Sequence, residues 1–177
     1  VAMIDTGIDY THEDLKDTLW VNTDEIPGNG IDDDGNGYVD DVYGWNFYNN
    51  NNQIFTGEED SHGTHGAGTI SAGTGNGIGI AGIVPGNRVR VMALKALGGT
   101  DGGGSTAAVI KAIRYAEDNG AVICNLSLTS TVDDKALYEA MKNSSMLFVV
   151  ATGNGNPKTG KGVDTDAIPF YPAAYDL

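Results

Sequence analysis

The sequence is poor in cysteine, in basic residues and in long apolar runs, and each shortage narrows the possible functions. A single cysteine, Cys124, cannot form an internal disulfide and leaves the redox compartment open. No apolar run approaches the ~20 residues that span a bilayer, so no membrane partner is expected. The 10 basic residues face 24 acidic ones, and the net charge of −14 argues against a nucleic-acid partner.

The negative charge is concentrated at the beginning of the chain. Residues 1–60 hold 15 of the acidic residues and one base, Lys16, whereas residues 61–177 hold nine of each. Clustered carboxylates are what hard divalent cations require, so Ca²⁺ is the expected cofactor. The 177 residues suffice for one domain with a core. Because Val1–Ile4 reads as the middle of a buried strand, we expect that a preceding segment has been removed.

Apolar patterns predict one strand at the start of the chain and alternating strands and helices beyond residue 60. The expected strands are Val1–Ile4, Val89–Ala93, Ala121–Leu128 and Met146–Thr152, and the expected helices run from His62 to about Ala72, from a cap at Ser105 to Gly120, and from a cap at Asp133 through Met141. This order predicts an α/β three-layer sandwich with a mostly parallel sheet. Residues 20–60 are rich in Asn, Asp and Gly, which indicates a long acidic surface excursion with room for a β-hairpin.

Three short polar motifs accompany these elements. Asp5 directly follows the first strand, His62 lies at a helix start among small residues, and Asn154 follows Gly153 after the last strand. Open α/β sheets bind ligands at the carboxyl ends of their strands, where Asp5 and Asn154 are expected. Each motif alone also fits a structural role, as a turn cap, a helix–sheet contact or a turn residue. The His62-x-x-His65 spacing differs from the four-residue spacing of zinc helices.

Taken in order, these motifs resemble those of the subtilase family of serine proteases. The matching segments are Asp5-Thr6-Gly7-Ile8-Asp9, His12-Glu13-Asp14-Leu15, His62-Gly63-Thr64-His65-Gly66-Ala67-Gly68, Ala151-Thr152-Gly153-Asn154 and Tyr171-Pro172-Ala173. The resemblance implies that Asp5 orients His62, that His62 is the general base and then the general acid, and that Asn154 helps to bind the oxyanion. It also implies an extracellular serine endopeptidase whose substrate is an extended polypeptide.

The sequence departs from the family at the nucleophile. The family's serine lies in a Gly-Thr-Ser-Met-Ala motif after the oxyanion asparagine, and no such motif follows Asn154, while Ser144-Ser145-Met146 precedes it. Residues 1–177 therefore read as one incomplete peptidase domain, the amino-terminal two-thirds, truncated before the C-terminal part. We expect the chain alone to be inactive, to expose apolar surface, and to have the missing part of the same domain as its partner.

Two further segments match the family's substrate-binding walls. Gly102, Gly103 and Gly104 correspond to an edge segment that pairs with an extended peptide, because absent side chains permit backbone-to-backbone hydrogen bonds. Ser127, Leu128 and Thr129 match its partner beside the S1 pocket. The family usually has glycine where Thr129 stands, which predicts a narrower or differently shaped pocket rim.

Two calcium sites are predicted. The first repeats the spacing of an EF-hand loop, lacks the closing glutamate because its twelfth position is Tyr43, and has the ligands Asp32, Asp34, Asn36, the Tyr38 carbonyl and Asp40. The second is implied by the resemblance alone and has the ligands Asp14, Thr74, Asn76, Ile78 and Ile80. In the family, its first ligand comes from residues that would precede Val1.

Three rival functions stay open at this stage. An aspartic protease also carries Asp-Thr-Gly, but such folds are all-β and leave His62 and Asn154 without a role. A cysteine protease built on Cys124 and His62 would place its nucleophile inside a buried strand, where a free cysteine is usually a small core residue. A catalytically inert calcium-binding or structural module with a subtilase shell is compatible with the missing serine.

Overall fold

A computed structural model describes residues 1–84, 88–156 and 158–177. Its strands in chain order are β1 (Ala2–Asp5), β2 (Gly44–Asn46), β3 (Met92–Lys95), β4 (Leu97–Gly98), β5 (Gly103–Gly104), β6 (Ile123–Leu126) and β7 (Leu147–Val150). Five of them form a parallel sheet in the order β2-β3-β1-β6-β7. The remaining two, β4 and β5, pair as a short antiparallel ribbon. The carboxyl ends of the parallel strands therefore meet at one edge.

Within residues 1–84, 88–156 and 158–177, three α-helices and a 3₁₀ turn before the first of them position the site. The turn spans Glu58–Asp60 and leads into α1 (Ser61–Ser71), which is followed by α2 (Thr106–Asp118) and α3 (Lys135–Lys142). As predicted, the Ser105 side chain caps α2 by accepting the Ala108 N–H. The predicted cap of α3 was wrong by one residue, because Asp134 rather than Asp133 accepts N–H groups from the first turn.

The sheet is covered on both faces. Ala2 and Ile4 of β1 face a core shared with α2 and α3, whereas Met3 between them packs in a second core with Ala67 of α1. Side chains alternate along a strand, so burial of all three requires a helical layer on each side of the sheet. The predicted α/β three-layer architecture is confirmed.

The only hairpin-like pairing within residues 20–60 is a single antiparallel bridge between Asn46 and Asn51. Strand β2 of this acidic excursion joins the edge of the parallel sheet, where Gly44 pairs with Ala93. A Cβ on Gly44 would lie 1.9 Å from the Ala93 carbonyl oxygen, so only glycine permits this approach. Strand β3 also begins later than predicted, since Val91 forms an isolated bridge with Leu19 before the sheet starts.

Strand β7 is the outer strand on the other side of the sheet. Its Leu147 and Val149 side chains are 64% and 50% exposed. Among the described residues, no helix is both long enough and apolar enough to cross a membrane.

Candidate active site

Asp5 ends the central strand β1 and is fully buried. Its Oδ1 accepts the Thr6 N–H at 2.7 Å and lies 2.7 Å from the Nδ1 atom of His62. Its Oδ2 is also buried and has no hydrogen-bond partner among the described residues. The carboxylate is thus withdrawn from water, and its one side-chain hydrogen bond within the described parts of the chain is with the imidazole.

His62 is the second residue of α1, and its side chain is 60% exposed. An ionised carboxylate can only accept hydrogen bonds, so the contact with Asp5 places the ring hydrogen on Nδ1. The Nε2 atom is then left with its lone pair, the form that can take a proton from a hydroxyl at neutral pH.

Close backbone packing holds α1 against the end of β1. A Cβ on Gly63 would lie 2.1 Å from the Gly7 carbonyl oxygen, and the Gly63 N–H donates to the Thr6 Oγ1 at 3.0 Å. Gly7 itself has φ +112°, which disfavours any side chain there. These contacts explain why small residues surround His62 in the sequence.

His62 lines a cleft of about 590 Å³. The same cleft is lined by both predicted substrate walls, Gly102–Gly104 and Ser127–Thr129. Asp101, which directly precedes the first wall, lines the cleft as well, and sequence reasoning missed Glu59, Asp134 and Tyr171 in its lining. Tyr171 reaches the cleft through a backbone bridge to Ser130, which no local sequence pattern announces.

The carboxylates in the cleft are partly engaged within the protein. The Leu137 N–H donates to Asp134 and holds the pKa of that carboxyl below its usual value. Asp101 accepts the Gly103 N–H at 3.1 Å, which fixes the turn before β5. No lysine or arginine occurs among the described residues that line this cleft, so its lining charge is negative whenever His62 is neutral.

Asn154 is not brought into the cleft lining. It is exposed, follows β7, and comes directly after Gly153, whose φ is +99°. Within the described parts of the chain, no hydroxyl or thiol forms a hydrogen bond with His62. Ser145, which belongs to the Ser-Ser-Met segment before Asn154, donates its hydroxyl to Glu117. The structure therefore brings Asp5 and His62 together beside both walls, and Asn154 is not among the described residues that line the cleft.

Cys124 lies in β6 and is fully buried. Burial raises the pKa of its thiol to about 12, so the nucleophilic thiolate is disfavoured at neutral pH. The cysteine-protease alternative finds no support in this environment. The α/β architecture likewise removes the basis for an aspartic protease, whose fold is all-β.

The acidic excursion brings three carboxylates together. Oxygen atoms of Glu25, Asp32 and Asp34 all lie within 4.8 Å of one another, and Glu25 is buried. Sequence reasoning missed Glu25, which lies outside the EF-hand spacing. Glu25 accepts the N–H groups of Asp33 at 2.8 Å and Asp40 at 3.0 Å, so it fixes both ends of the loop. This oxygen-only donor set suits a hard cation.

The other predicted ligands of this loop are turned to different partners. The Asp40 carboxylate accepts the N–H groups of Asn29 and Gly30 at 3.1 and 3.0 Å. The Asn36 amide donates to Asp34 and to the buried Asp41. Of the predicted set, Asp32 and Asp34 are therefore gathered, while Asp40 is directed to the turn at residues 29–30.

The second predicted calcium loop wraps around a buried Asp14. The Asn76 amide donates to Asp14 Oδ1 at 2.7 Å, and the Ile80 N–H donates to Asp14 Oδ2 at 3.3 Å. The Asn76 oxygen in turn accepts the Ile78 N–H. The loop that contains Thr74 thus satisfies the carboxylate with amide donors, and one carboxylate is the only charged ligand of the set.

The fold and site define a class of protein: an open parallel sheet whose central strand ends in a buried aspartate bonded to a histidine at a helix start. A profile of the Subtilase family matches residues 1–176. The chain belongs to this family.

Individual relatives and a solved structure agree with this assignment. The Major intracellular serine protease of Bacillus subtilis is 36% identical over 99% of this chain and 48% of its own length. Thermitase of Thermoactinomyces vulgaris is 32% identical over 99% of this chain and 51% of its own length. Subtilisin-like protease 1 of Plasmodium berghei is 36% identical over 87% of this chain and 26% of its own length. A cold adapted subtilisin-like serine proteinase superposes with a TM-score of 0.56 at 25% identity, covering 88% of this chain and 46% of that one.

The chain thus spans only a quarter to a half of the length of these relatives.

Proposed function

We propose that the chain is the acid–base part of a serine endopeptidase. The observation that carries this proposal is the 2.7 Å contact between Asp5 Oδ1 and His62 Nδ1 on the wall of a cleft. Asp5 holds the ring hydrogen on Nδ1, so Nε2 accepts the proton of a serine hydroxyl as its oxygen attacks the peptide carbonyl. The protonated imidazole then returns that proton to the leaving amine.

The substrate in this proposal is an extended polypeptide. Gly102–Gly104 offers backbone groups for strand addition, since β5 pairs only with β4 among the described residues. Ser127–Thr129 forms the facing wall of the same cleft. Asn154, which is exposed after β7, is assigned the oxyanion donor on the family resemblance alone.

The nucleophile in this proposal is supplied by sequence that is not part of the 177 residues. The chain alone is then expected to leave a fluorophosphonate probe unreacted. The natural polypeptide extended past Leu177 to a Gly-Thr-Ser segment is expected to be labelled stoichiometrically. Both are measured by intact-mass spectrometry. Stoichiometric labelling of the 177-residue chain would contradict its proposed inactivity, and a stop codon or a replaced serine downstream would support the inert module.

We propose an extracellular location on the family resemblance alone. The name of the Bacillus subtilis relative, an intracellular protease, means that family membership does not decide the compartment. Detection of the native protein in culture medium rather than in cell lysate tests this assignment.

We also propose that Glu25, Asp32 and Asp34 hold a calcium ion. When bound, the ion would neutralise the mutual repulsion of these carboxylates and brace the acidic loop against β2. The three carboxylates are already gathered within 4.8 Å, and Glu25 is held by backbone N–H groups, so the loop needs little rearrangement.

Saturating calcium is expected to raise the melting temperature by roughly 5–10 °C, as ~100 Kd of ligand contributes about 2.7 kcal/mol. Calorimetric melts in calcium and in excess EGTA measure this shift.

The Asp32→Asn variant should lose most of the calcium-dependent shift. The Asp133→Asn variant, which changes an exposed carboxylate outside the loop, should retain the shift. Asp14→Asn separates the second loop: loss of the shift in this variant would assign the ion to Asp14 instead. A melt that EGTA leaves unchanged would rule against both sites.

A further inference from the structure

A buried ion pair lies behind the Asp5–His62 contact. Lys95 ends β3 and Asp60 directly precedes α1; their side chains are 1% and 0% exposed. The Lys95 Nζ atom lies 2.6 Å from Asp60 Oδ1. Sequence reasoning did not find this pair, because its members are 35 residues apart and belong to different elements.

Each member of the pair has a second partner. Lys95 Nζ donates to the Thr6 carbonyl oxygen at 2.7 Å. Asp60 Oδ2 accepts both the N–H and the hydroxyl of Thr56, each at 2.7 Å. The pair therefore joins three segments of backbone: the end of β1, the turn before α1 and the stretch at residue 56.

These segments are the ones that carry the candidate acid and base. Thr6 follows Asp5, donates its N–H to Asp5 Oδ1, and accepts the Gly63 N–H on its hydroxyl. Asp60 stands two residues before His62. The Lys95 ammonium group thus holds the backbone on both sides of the Asp5–His62 hydrogen bond. It binds the carbonyl of Thr6, the residue after Asp5, and the side chain of Asp60, two residues before His62.

Stability of the fold does not by itself require a charged pair at this position. The attraction within a buried ion pair is largely offset by the loss of hydration of both charges, and apolar replacements of similar volume are often as stable. Lys95 does not line the cleft, so it does not bind substrate there. Its hydrogen bonds are directional, and what they contribute is position.

We propose that Lys95 and Asp60 are positioning residues that set the geometry of the Asp5–His62 hydrogen bond. This inference rests on the proposed role of Asp5 and His62. Its test needs neither a nucleophile nor substrate turnover, because it reads the hydrogen bond itself. Failure of the extended chain to react with a fluorophosphonate would leave the result of this test unaffected.

The test is proton NMR of the Nδ1–H of His62 in the 177-residue chain at low temperature, with the unsubstituted chain as the reference. The variant is Lys95→Met with Asp60→Asn, which removes both charges together and leaves no lone buried charge. Exchange of the Nδ1 proton with water is expected to become at least about tenfold faster, equivalent to ~1.4 kcal/mol. An exchange rate unchanged in the folded double variant would overturn the proposal.

Met141→Ala is the matched control for general loosening. Met141 is buried on α3, outside the network around Lys95, and its truncation should lower stability by about 2–5 kcal/mol without changing the His62 signal. Equal acceleration in this control would also overturn the proposal. If the double variant does not fold, the Thr56→Val variant takes its place in the test. Thr56 is exposed, and this substitution removes the hydroxyl that donates to Asp60. Faster exchange in that variant supports positioning, and an unchanged rate refutes it.

Discussion

Replacing His62 by alanine in a chain extended far enough to carry the nucleophilic serine is expected to lower kcat/KM for peptide hydrolysis by about 10⁴–10⁶-fold. The imidazole is the group that Asp5 holds with its Nε2 lone pair available. Without it, no side chain takes the hydroxyl proton during attack, and only binding and oxyanion stabilisation continue to lower the barrier. A chromogenic peptide assay, with the enzyme concentration fixed by mass, measures the loss.

His65→Ala provides the control for this substitution. His65 lies one helical turn further along α1 and has no contact with Asp5. It faces a separate cavity near Asp14 rather than the cleft of His62. Its loss should change kcat/KM by less than about tenfold, or 1.4 kcal/mol. Comparable losses in both variants would show that the helix, and not the Asp5–His62 pair, is what catalysis requires.

Gly63→Ala is expected to lower the free energy of unfolding by about 3 kcal/mol. The new methyl group would lie 2.1 Å from the Gly7 carbonyl oxygen and 3.1 Å from the Gly7 N and C atoms. Backbone cannot rotate out of the way as a side chain can, so α1 must shift away from β1. Urea unfolding followed by far-UV circular dichroism measures the change.

Gly66→Ala makes the comparison within the same helix. Among the described residues, its methyl group would meet only the flexible Met3 side chain, with Cε at 2.2 Å and Sδ at 3.6 Å. Because alanine favours the helix over glycine by ~1 kcal/mol, the net effect should stay within about 1 kcal/mol of zero. A Gly63 variant as stable as the Gly66 variant would mean that the helix–strand approach is less rigid than the structure shows.

Much of the fold was predictable because its signals are local. The apolar run before Asp5 marks β1, and Ser105 followed by helical spacing marks α2, so both ends of these elements could be placed from neighbouring residues. The expectation that Asp5 orients His62 came from the family resemblance rather than from these local signals. The structure places Asp5 Oδ1 and His62 Nδ1 2.7 Å apart.

The wrong predictions concern a helix cap for which two neighbouring residues compete and a strand whose pairing partner is distant in the sequence. Asp133 and Asp134 are both capable caps, and one residue of register, set by packing of Leu137 in the core, decides between them. Strand β2 could not be assigned from its own three residues, because it pairs with β3 some 50 residues later. An acidic, glycine-rich segment reads as a loop until that pairing is known.

Long-range polar contacts were the least predictable part of the candidate site. Lys95 ends the apolar strand β3, and no neighbouring residue indicates that its side chain is buried. Asp60 and the Thr6 carbonyl satisfy its charge in the interior. Glu25 gave no signal because it lies outside the EF-hand spacing that identified Asp32 and Asp34. The contacts of Lys95 and of Glu25 both join residues that are distant in the sequence, and a pattern of neighbouring residues does not encode such contacts.

The outer strand β7 bears on how copies of this chain interact in solution. Its exposed Leu147 and Val149 side chains lie next to an edge that pairs with no further strand among the described residues, on a chain whose net charge is −14. Like-charge repulsion between copies acts over a Debye length of about 30 Å in dilute salt and only about 8 Å at physiological ionic strength. Added electrolyte therefore removes the barrier that keeps two such edges from meeting, while the apolar attraction between them is left intact.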